Sequence, residues 1–174
     1  MSDASPTPQQ RRVPIVSIVG KKHSGKTTLV VKLVAELKRR GWRVATAKHD
    51  AHSFEIDHEG KDSWRHAQAG ADAVLISSPA KLALIKKTDG ELPLDALAQR
   101  YLDDVDIILT DGFLRQGKPA IEVVRHALGV DLICPREQLF AIATDARLDL
   151  DKPQFDLNDA AGLADAIEHR FLGM

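Results

Sequence analysis

G-K-K-H-S-G-K-T, residues 20–27, is the stretch that decides the fold of this chain. It satisfies the pattern G-x-x-x-x-G-K-[ST] of a phosphate-binding loop, or P-loop. A largely β-branched run at residues 13–19 precedes it, and Leu29, Leu33 and Leu37 follow at the i+4 spacing of one helix face. Strand, glycine-rich turn and helix in this order are the context that phosphate binding requires. The opening therefore predicts a P-loop at the start of a βαβ unit.

The rest of the chain alternates short apolar runs with helical patterns, which is typical of an α/β protein. We predict strands at residues 42–47, 73–76, 82–85, 105–109, 121–124 and 139–143, and helices at 26–40, 62–69, 93–101 and from 158 onward. Because βαβ units build parallel sheets, the predicted architecture is a three-layer P-loop NTPase-type fold with a mostly parallel central sheet flanked by helices. Residues 1–12 are polar and are expected to form a disordered tail, which leaves residues 13–174 as a single domain.

Composition narrows the classes of function. With 174 residues, 44% of them hydrophobic, and a formal net charge of -1, the chain lacks the positive excess that general nucleic-acid binding needs. No apolar run reaches the roughly 18 to 20 residues of a membrane span. The single cysteine, Cys134, excludes an internal disulfide and is expected to be a small buried residue. We therefore expect a cytoplasmic protein that binds neither nucleic acid nor membrane.

The P-loop supplies most of the candidate ligand-binding residues. Its glycines let successive backbone N–H groups point inward around phosphates, and the following helix adds the positive end of its dipole. Lys26 is expected to bridge the β and γ phosphates, while the Thr27 hydroxyl is expected to ligate Mg²⁺. The predicted nucleotide-binding residues of this loop are Gly20, Lys22, His23, Ser24, Gly25, Lys26, Thr27 and Thr28.

A second acidic group is needed at the end of a neighbouring strand to hold the metal ion. Asp111 fits this requirement because it follows the apolar run at residues 105–109. Gly112 beside it is expected to let the backbone approach the γ-phosphate. The alternative is an ordinary turn-forming Asp-Gly pair.

Asp145 is the candidate for recognising the base. It follows a late predicted strand, and a carboxylate accepts hydrogen bonds from both N1–H and the 2-amino group of guanine. Adenine offers no such pair of donors. The preference for GTP therefore depends on this residue, with an ordinary strand-end aspartate as the alternative.

The polar stretch at residues 48–62 has three open interpretations. The first is a switch loop that reaches the γ-phosphate, with Asp50 near the metal ion or the attacking water. The second is a zinc or nickel site, although the spacings match no compact structural-zinc signature. The third is a plain solvated loop. The possible metal ligands are His49, His52, His58 and His66 together with Asp50, Asp57, Glu59 and Asp62.

The chain also resembles a known family. K-H-D at residues 48–50 and F-E-I-D-H-E-G-K-D-S-W-R-H-A-Q-A-G-A at residues 54–71, after a P-loop ending G-K-T-T-L, are similar to the molybdopterin-guanine dinucleotide biosynthesis protein B (MobB) family. The resemblance runs from about residue 13 to residue 125 and is weaker beyond. The middle block is specific to this family, whereas many families share the P-loop.

The resemblance implies a GTP-binding adaptor with Mg²⁺ and weak GTPase activity. Such a protein assists the MobA-type guanylyltransferase that attaches GMP to molybdopterin, and it is expected to be a homodimer. Molybdopterin itself and molybdoenzyme chaperones are further candidate partners. By motif position, residues 23–28 would bind phosphate, Thr27 and Asp111 would serve Mg²⁺, and Asp50 with residues 57–65 would face the nucleotide or the partner.

Two departures concern the chemistry of hydrolysis. The family commonly has glutamate where this chain has Asp111, and Pro-Lys-Ile-Glu-Val where this chain has P-A-I-E-V at residues 119–123. Lys26, Asp50 and Asp111 are the candidate catalytic residues. Arg65, Arg115 and Arg125 are alternative sources of positive charge for the transition state.

Two rival functions stay open. The first is a small-molecule kinase, although no segment is an evident arginine-rich lid. The second is a metallochaperone built on the histidine-rich stretch at residues 49–66.

Overall fold

The computed structural model describes residues 12–50 and 54–173. Residues 1–11 of the predicted disordered tail, and His52 among the candidate metal ligands, lie outside the described residues. The described chain divides into two compact units. The first comprises the residues up to His49 and those from Pro93 onward, and the second comprises residues 50–92. The single-domain organisation stays a prediction.

The first unit is built on a six-stranded parallel sheet with the strand order β2-β5-β1-β6-β7-β8. Its strands are β1 (Ile15–Gly20), β2 (Val44–Lys48), β5 (Ile107–Asp111), β6 (Ala120–Val124), β7 (Leu139–Thr144) and β8 (Gln154–Phe155). Its helices are α1 (Lys26–Arg39), α3 (Leu94–Tyr101) and α4 (Ala160–Ile167). The predicted three-layer α/β architecture with a mostly parallel sheet is confirmed.

Both faces of the central strands are covered, which explains their almost wholly apolar sequences. On one face, α1 and α4 bury Leu33 and Ile167 against Val16 and Ile18, all with no exposed surface. On the other face, the α3 residue Leu94 packs with Ile15 and Ile108. Period-2 alternation along β1 therefore sends residues of even number to one layer and residues of odd number to the other.

An ion-pair network joins the end of α1 to α4. Arg40 donates to Glu36, to Asp165 and to the buried carboxylate of Glu168, which also accepts from Nε1 of Trp42 at 2.6 Å. Hydrogen bonds from Arg39 and then Arg40 lower the pKa of Glu36 to about 2. These contacts fix α4 beside α1 at the end of the helix remote from the P-loop.

The second unit contains α2 (Asp62–Gln68) and the antiparallel hairpin of β3 (Ala73–Ser78) and β4 (Lys81–Lys86). Both faces of the hairpin carry large apolar side chains, and of the residues in these two strands only Val74 is buried. Leu75 and Leu82 are 61% and 65% exposed. Two strands alone bury little surface, so this unit is much less covered than the first.

Most predicted elements agree with the structure to within a few residues. The short strand β8 and the one-turn helices Leu114–Gln116 and His126–Leu128 were not predicted, because segments of two or three residues carry no periodic signal. Among the described residues, no helix is both long enough and apolar enough to cross a membrane.

Candidate functional site

The candidate site lies where the parallel strands β1, β5, β6 and β7 end. Carboxyl ends of parallel strands share one edge of the sheet, which is where α/β proteins bind ligands. The P-loop, Asp111, Arg125 and Asp145 each follow or end one of these strands. Four segments that span more than a hundred residues of sequence are therefore brought to one edge.

Glycine is required at the first position of the P-loop. Gly20 has φ of 148°, and a Cβ added there would lie 2.5 Å from the Val123 carbonyl oxygen and 2.7 Å from Ser24 Oγ. Because contacts below 3 Å do not occur for real Cβ atoms, no side chain fits without moving backbone. Gly25, with φ of 102°, and His23, with φ of 63°, complete the left-handed positions of the turn. This backbone is the one that the motif requires.

Lys26 begins α1 and folds back over the loop. Its Nζ donates to the carbonyl oxygens of Gly20 at 3.0 Å and Lys21 at 2.9 Å. The first turn of α1 itself contains no acidic residue, so the helix adds no negative charge of its own at its positive end. An ammonium group and the helix dipole thus converge at the mouth of the loop.

Thr27 and Asp111 meet across 84 residues of sequence. Thr27 Oγ1 donates to Asp111 Oδ2 at 2.6 Å. Behind them, Thr110 Oγ1 lies 3.0 Å from both Ser17 Oγ and the Gly112 carbonyl oxygen, which fixes the end of β5 against β1. A hydroxyl beside a carboxylate is an all-oxygen donor set, which suits Mg²⁺ and not a soft metal.

The turn after Asp111 has two consecutive residues in the left-handed region. Gly112 has φ of 99° and Phe113 has φ of 61°, and the Gly112 N–H donates to the Ile18 carbonyl at 3.0 Å. Phe113 is 8% exposed and its ring lies 5.1 Å from that of His49. Burial and this ring contact stabilise an unfavourable backbone conformation. The predicted contact of Gly112 with a γ-phosphate stays a prediction.

The other predicted loop residues differ in accessibility. Lys22, His23 and Thr28 are exposed, as residues that reach a ligand must be. Ser24 is 1% exposed, and among the described residues its Oγ has no hydrogen-bond partner. The role of Ser24 in nucleotide binding stays a prediction.

Asp145 is exposed at the end of β7, two strands from β1. Its Oδ1 accepts a hydrogen bond from the His126 backbone N–H at 2.7 Å. This carboxylate therefore holds the chain that leaves β6. Recognition of guanine by the same carboxylate stays a prediction.

Asp50 and most of the candidate transition-metal ligands belong to the second unit. Within it, Asp57 Oδ1 accepts from the His58 N–H and from Ser63 Oγ, which supports the start of α2. In the part of the chain that the structure describes, no group of three His, Cys, Asp or Glu side chains is placed to hold a metal ion. The catalytic role of Asp50 stays a prediction.

Two basic side chains bond the P-loop to residues 125–129 in ways that the sequence did not indicate. Arg125 Nε donates to the Ser24 carbonyl at 2.9 Å. Lys21 Nζ donates to the carbonyl oxygens of Leu128 at 3.0 Å and Gly129 at 3.2 Å. Of the three arginines considered for transition-state charge, Arg125 is the one bonded to the loop.

The buried carboxylate of Glu122 holds the backbone at residues 133 and 134 against β6. Glu122 on β6 is 1% exposed, and it accepts hydrogen bonds from the backbone N–H groups of Ile133 at 2.8 Å and Cys134 at 3.0 Å. Burial, and then the charge of Glu122, raise the pKa of the Cys134 thiol to about 11. Cys134 is 5% exposed, as predicted, and its thiol is protonated at neutral pH.

Comparison with known proteins gives a consistent result. The chain matches the family model described as molybdopterin guanine dinucleotide synthesis protein B, MobB, over residues 15–145. It is 36% identical over 166 residues to the molybdopterin-guanine dinucleotide biosynthesis adapter protein of Haemophilus influenzae, which covers 93% of each chain. It is 35% identical over 161 residues to the Escherichia coli protein of the same name, covering 89% of this chain and 91% of that one. A crystal structure of molybdopterin-guanine biosynthesis protein B is similar with a TM-score of 0.70 and 34% identity, over 89% of this chain and 98% of that chain.

Proposed function

Because the chain belongs to the MobB family, we propose that it is an adapter in molybdopterin guanine dinucleotide biosynthesis that binds GTP and Mg²⁺ at residues 20–27. The named relatives support the adapter role, and the geometry of the P-loop supports the nucleotide. The proposed partner is a MobA-type guanylyltransferase, with molybdopterin and molybdoenzyme chaperones as further candidates. The cytoplasm, where GTP is made, is the proposed compartment.

The hydrogen bond between Thr27 Oγ1 and Asp111 Oδ2 is the observation that carries the proposal. It brings the hydroxyl of the P-loop to the carboxylate of the neighbouring strand, which is the pairing that holds Mg²⁺ in P-loop proteins. Bound Mg²⁺ would offset negative charge on the β- and γ-phosphate oxygens. The alternative, a turn-forming Asp-Gly pair, needs only the backbone of Asp111, and the contact of its Oδ2 with Thr27 Oγ1 is additional to that turn.

The remaining loop residues would act on the phosphates directly. Lys26 would exchange its two carbonyl partners for phosphate oxygens, which bind a cation more strongly than neutral carbonyls do. Backbone N–H groups of residues 23–28 would surround the phosphates. Asp145 would select guanine, and Asp50 would orient the attacking water.

Hydrolysis is proposed to be slow. Arg125 donates its Nε–H to a loop carbonyl, so the guanidinium most closely associated with the loop is already engaged. GTP plus water would give GDP plus phosphate at a low rate, and the nucleotide would mainly set the state in which the adapter meets its partner.

The adapter is proposed to be a homodimer. The hairpin exposes Leu75, Leu82 and Leu84 on one face and Ile76 on the other. Such a surface on a two-stranded sheet is a liability unless it is covered, and a second copy of the chain offers the same apolar surface in return.

Thermal unfolding with Mg²⁺ and either GTP or ATP tests the nucleotide assignment. GTP at a hundred times its dissociation constant should raise the free energy of unfolding by about 2.7 kcal/mol. ATP should raise it less, and both nucleotides should stabilise Lys26→Ala less than they stabilise the wild type. An equal response to GTP and ATP would contradict the guanine preference, and equal stabilisation of Lys26→Ala and the wild type would contradict the site.

A further inference from the structure

We propose that Lys21 and Arg125 are positioning residues that hold the P-loop in its phosphate-binding conformation by bonding it to the exit segment, residues 125–129, which follows β6. The inference rests on the proposed nucleotide binding and assigns these two residues a role that the motif does not give them. Neither residue is required by the G-x-x-x-x-G-K-[ST] pattern.

The first bond runs from the exit segment to the loop. Arg125 Nε donates to the Ser24 carbonyl at 2.9 Å, and the place of a Cβ on Gly25 would lie 3.5 Å from Nη2 of the same guanidinium. The arginine therefore covers the Ser24–Gly25 peptide. With this carbonyl oxygen held by the arginine, the N–H on the other side of the same peptide is turned away from the arginine.

The second set of bonds runs in the opposite direction, from the loop to the exit segment. Lys21 Nζ donates to the carbonyl oxygens of Leu128 and Gly129, and Asp131 Oδ2 lies 3.8 Å from it. A Cβ added at Gly129 would lie 3.2 Å from Lys21 Nζ, and the φ of Gly129 is 82°. Glycine at this position therefore leaves room for the lysine.

The exit segment is itself fixed, which makes it a suitable anchor. The His126 N–H donates to Asp145, which directly follows β7, while the N–H groups of Leu128 and Gly129 donate to the carbonyls of Arg125 and His126. A rigid support of this kind reduces the number of conformations that the loop can adopt. The loop is thus attached to the exit segment at two points, Lys21 and Ser24.

Preorganisation has a measurable consequence. The apparent dissociation constant of a ligand rises as the binding-competent fraction of the protein falls. A more mobile loop should therefore raise the dissociation constant of every ligand that binds at its phosphate site, and by the same factor. A residue that contacts only the transition state would instead lower the hydrolysis rate of bound GTP and leave the affinity for GDP unchanged.

The test is a titration of GTP and GDP, each with Mg²⁺, into the full-length wild type, Arg125→Gln and Lys21→Met. We expect both variants to bind both nucleotides about tenfold more weakly, because each variant loses a charged hydrogen-bond donor. The hydrolysis rate of fully bound GTP should change little. Arg136→Gln and Lys38→Met, exposed residues outside the loop and the exit segment, should bind as the wild type does.

The melting temperatures of the unliganded variants check that they fold. Gly129→Ala is an independent change that crowds Lys21 without altering a charge. It should lower the affinity for both nucleotides as Lys21→Met does. Wild-type affinity in all three variants would overturn the positioning role and leave GTP binding intact. Loss of hydrolysis with unchanged GDP affinity in Arg125→Gln would also overturn it. A wild type that binds neither nucleotide would overturn the proposed function itself.

Discussion

The first unit and the hairpin of the second unit use similar apolar sequences with opposite results. In β1, Val16 and Ile18 have no exposed surface because helices cover the sheet, whereas Leu75 and Leu82 in the hairpin are more than 60% exposed. The first unit completes its core within one chain. The second unit leaves apolar side chains exposed, so under the proposed function the first unit would bind the nucleotide and the hairpin would associate with a second copy of the chain.

The largest expected effect is a loss of stability from a substitution in the core of the first unit. Leu33→Ala removes a fully buried α1 side chain from the core beneath the P-loop and should lower the free energy of unfolding by about 2–5 kcal/mol. Urea denaturation followed by circular dichroism measures this loss. A loss below about 1 kcal/mol would mean that the core is not packed around α1 as described.

A substitution in the hairpin should change the oligomeric state of the protein. Leu82→Asp places a charge on the apolar face that we assign to a second copy, and analytical ultracentrifugation should show a dimer for the wild type and a monomer for this variant. Val31→Asp is the matched control, since Val31 is 63% exposed on α1 of the first unit, close to the 65% of Leu82. A monomeric wild type, or a dimer that Leu82→Asp leaves intact, would remove the difference in role between the two regions.

The smallest effect concerns the ion pairs between α1 and α4. Since the pKa of Glu36 is lowered from 4.5 to about 2, its contribution to stability is present above pH 4.5 and is lost as the pH falls toward 2. Glu36→Gln should therefore be less stable than the wild type at neutral pH, and the two unfolding curves should converge in acid. Parallel stability profiles across this pH range would contradict the assignment.

The sequence predicted what depends on local backbone and on strand order. Residues 20–27 specify their own turn through glycines, and the end of the strand before Asp111 predicts that its carboxylate lies at the same edge of the sheet as the P-loop, because parallel strands end together. These two facts identify the core of the site. They require no knowledge of side-chain packing.

Contacts between a side chain and a distant carbonyl were not predictable in this way. The bonds of Lys21 to the exit segment span more than a hundred residues and leave no residue pattern, since any carbonyl can accept. Glu122 differs, because the sequence around it does indicate its role. A single carboxylate between Ile121 and Val123, in a run expected to be buried, indicates a specific partner, and here that partner is the pair of amides at residues 133 and 134.

Calorimetric titration of GTP in the presence of Mg²⁺, with wild type and Lys26→Ala in parallel, tests the central claim most directly. We predict one GTP per chain for the wild type and an affinity at least about tenfold lower for Lys26→Ala, because the variant lacks the ammonium group that would bind the phosphates. Equal affinities in the two proteins, or no heat of binding in either, would contradict a nucleotide site at residues 20–27.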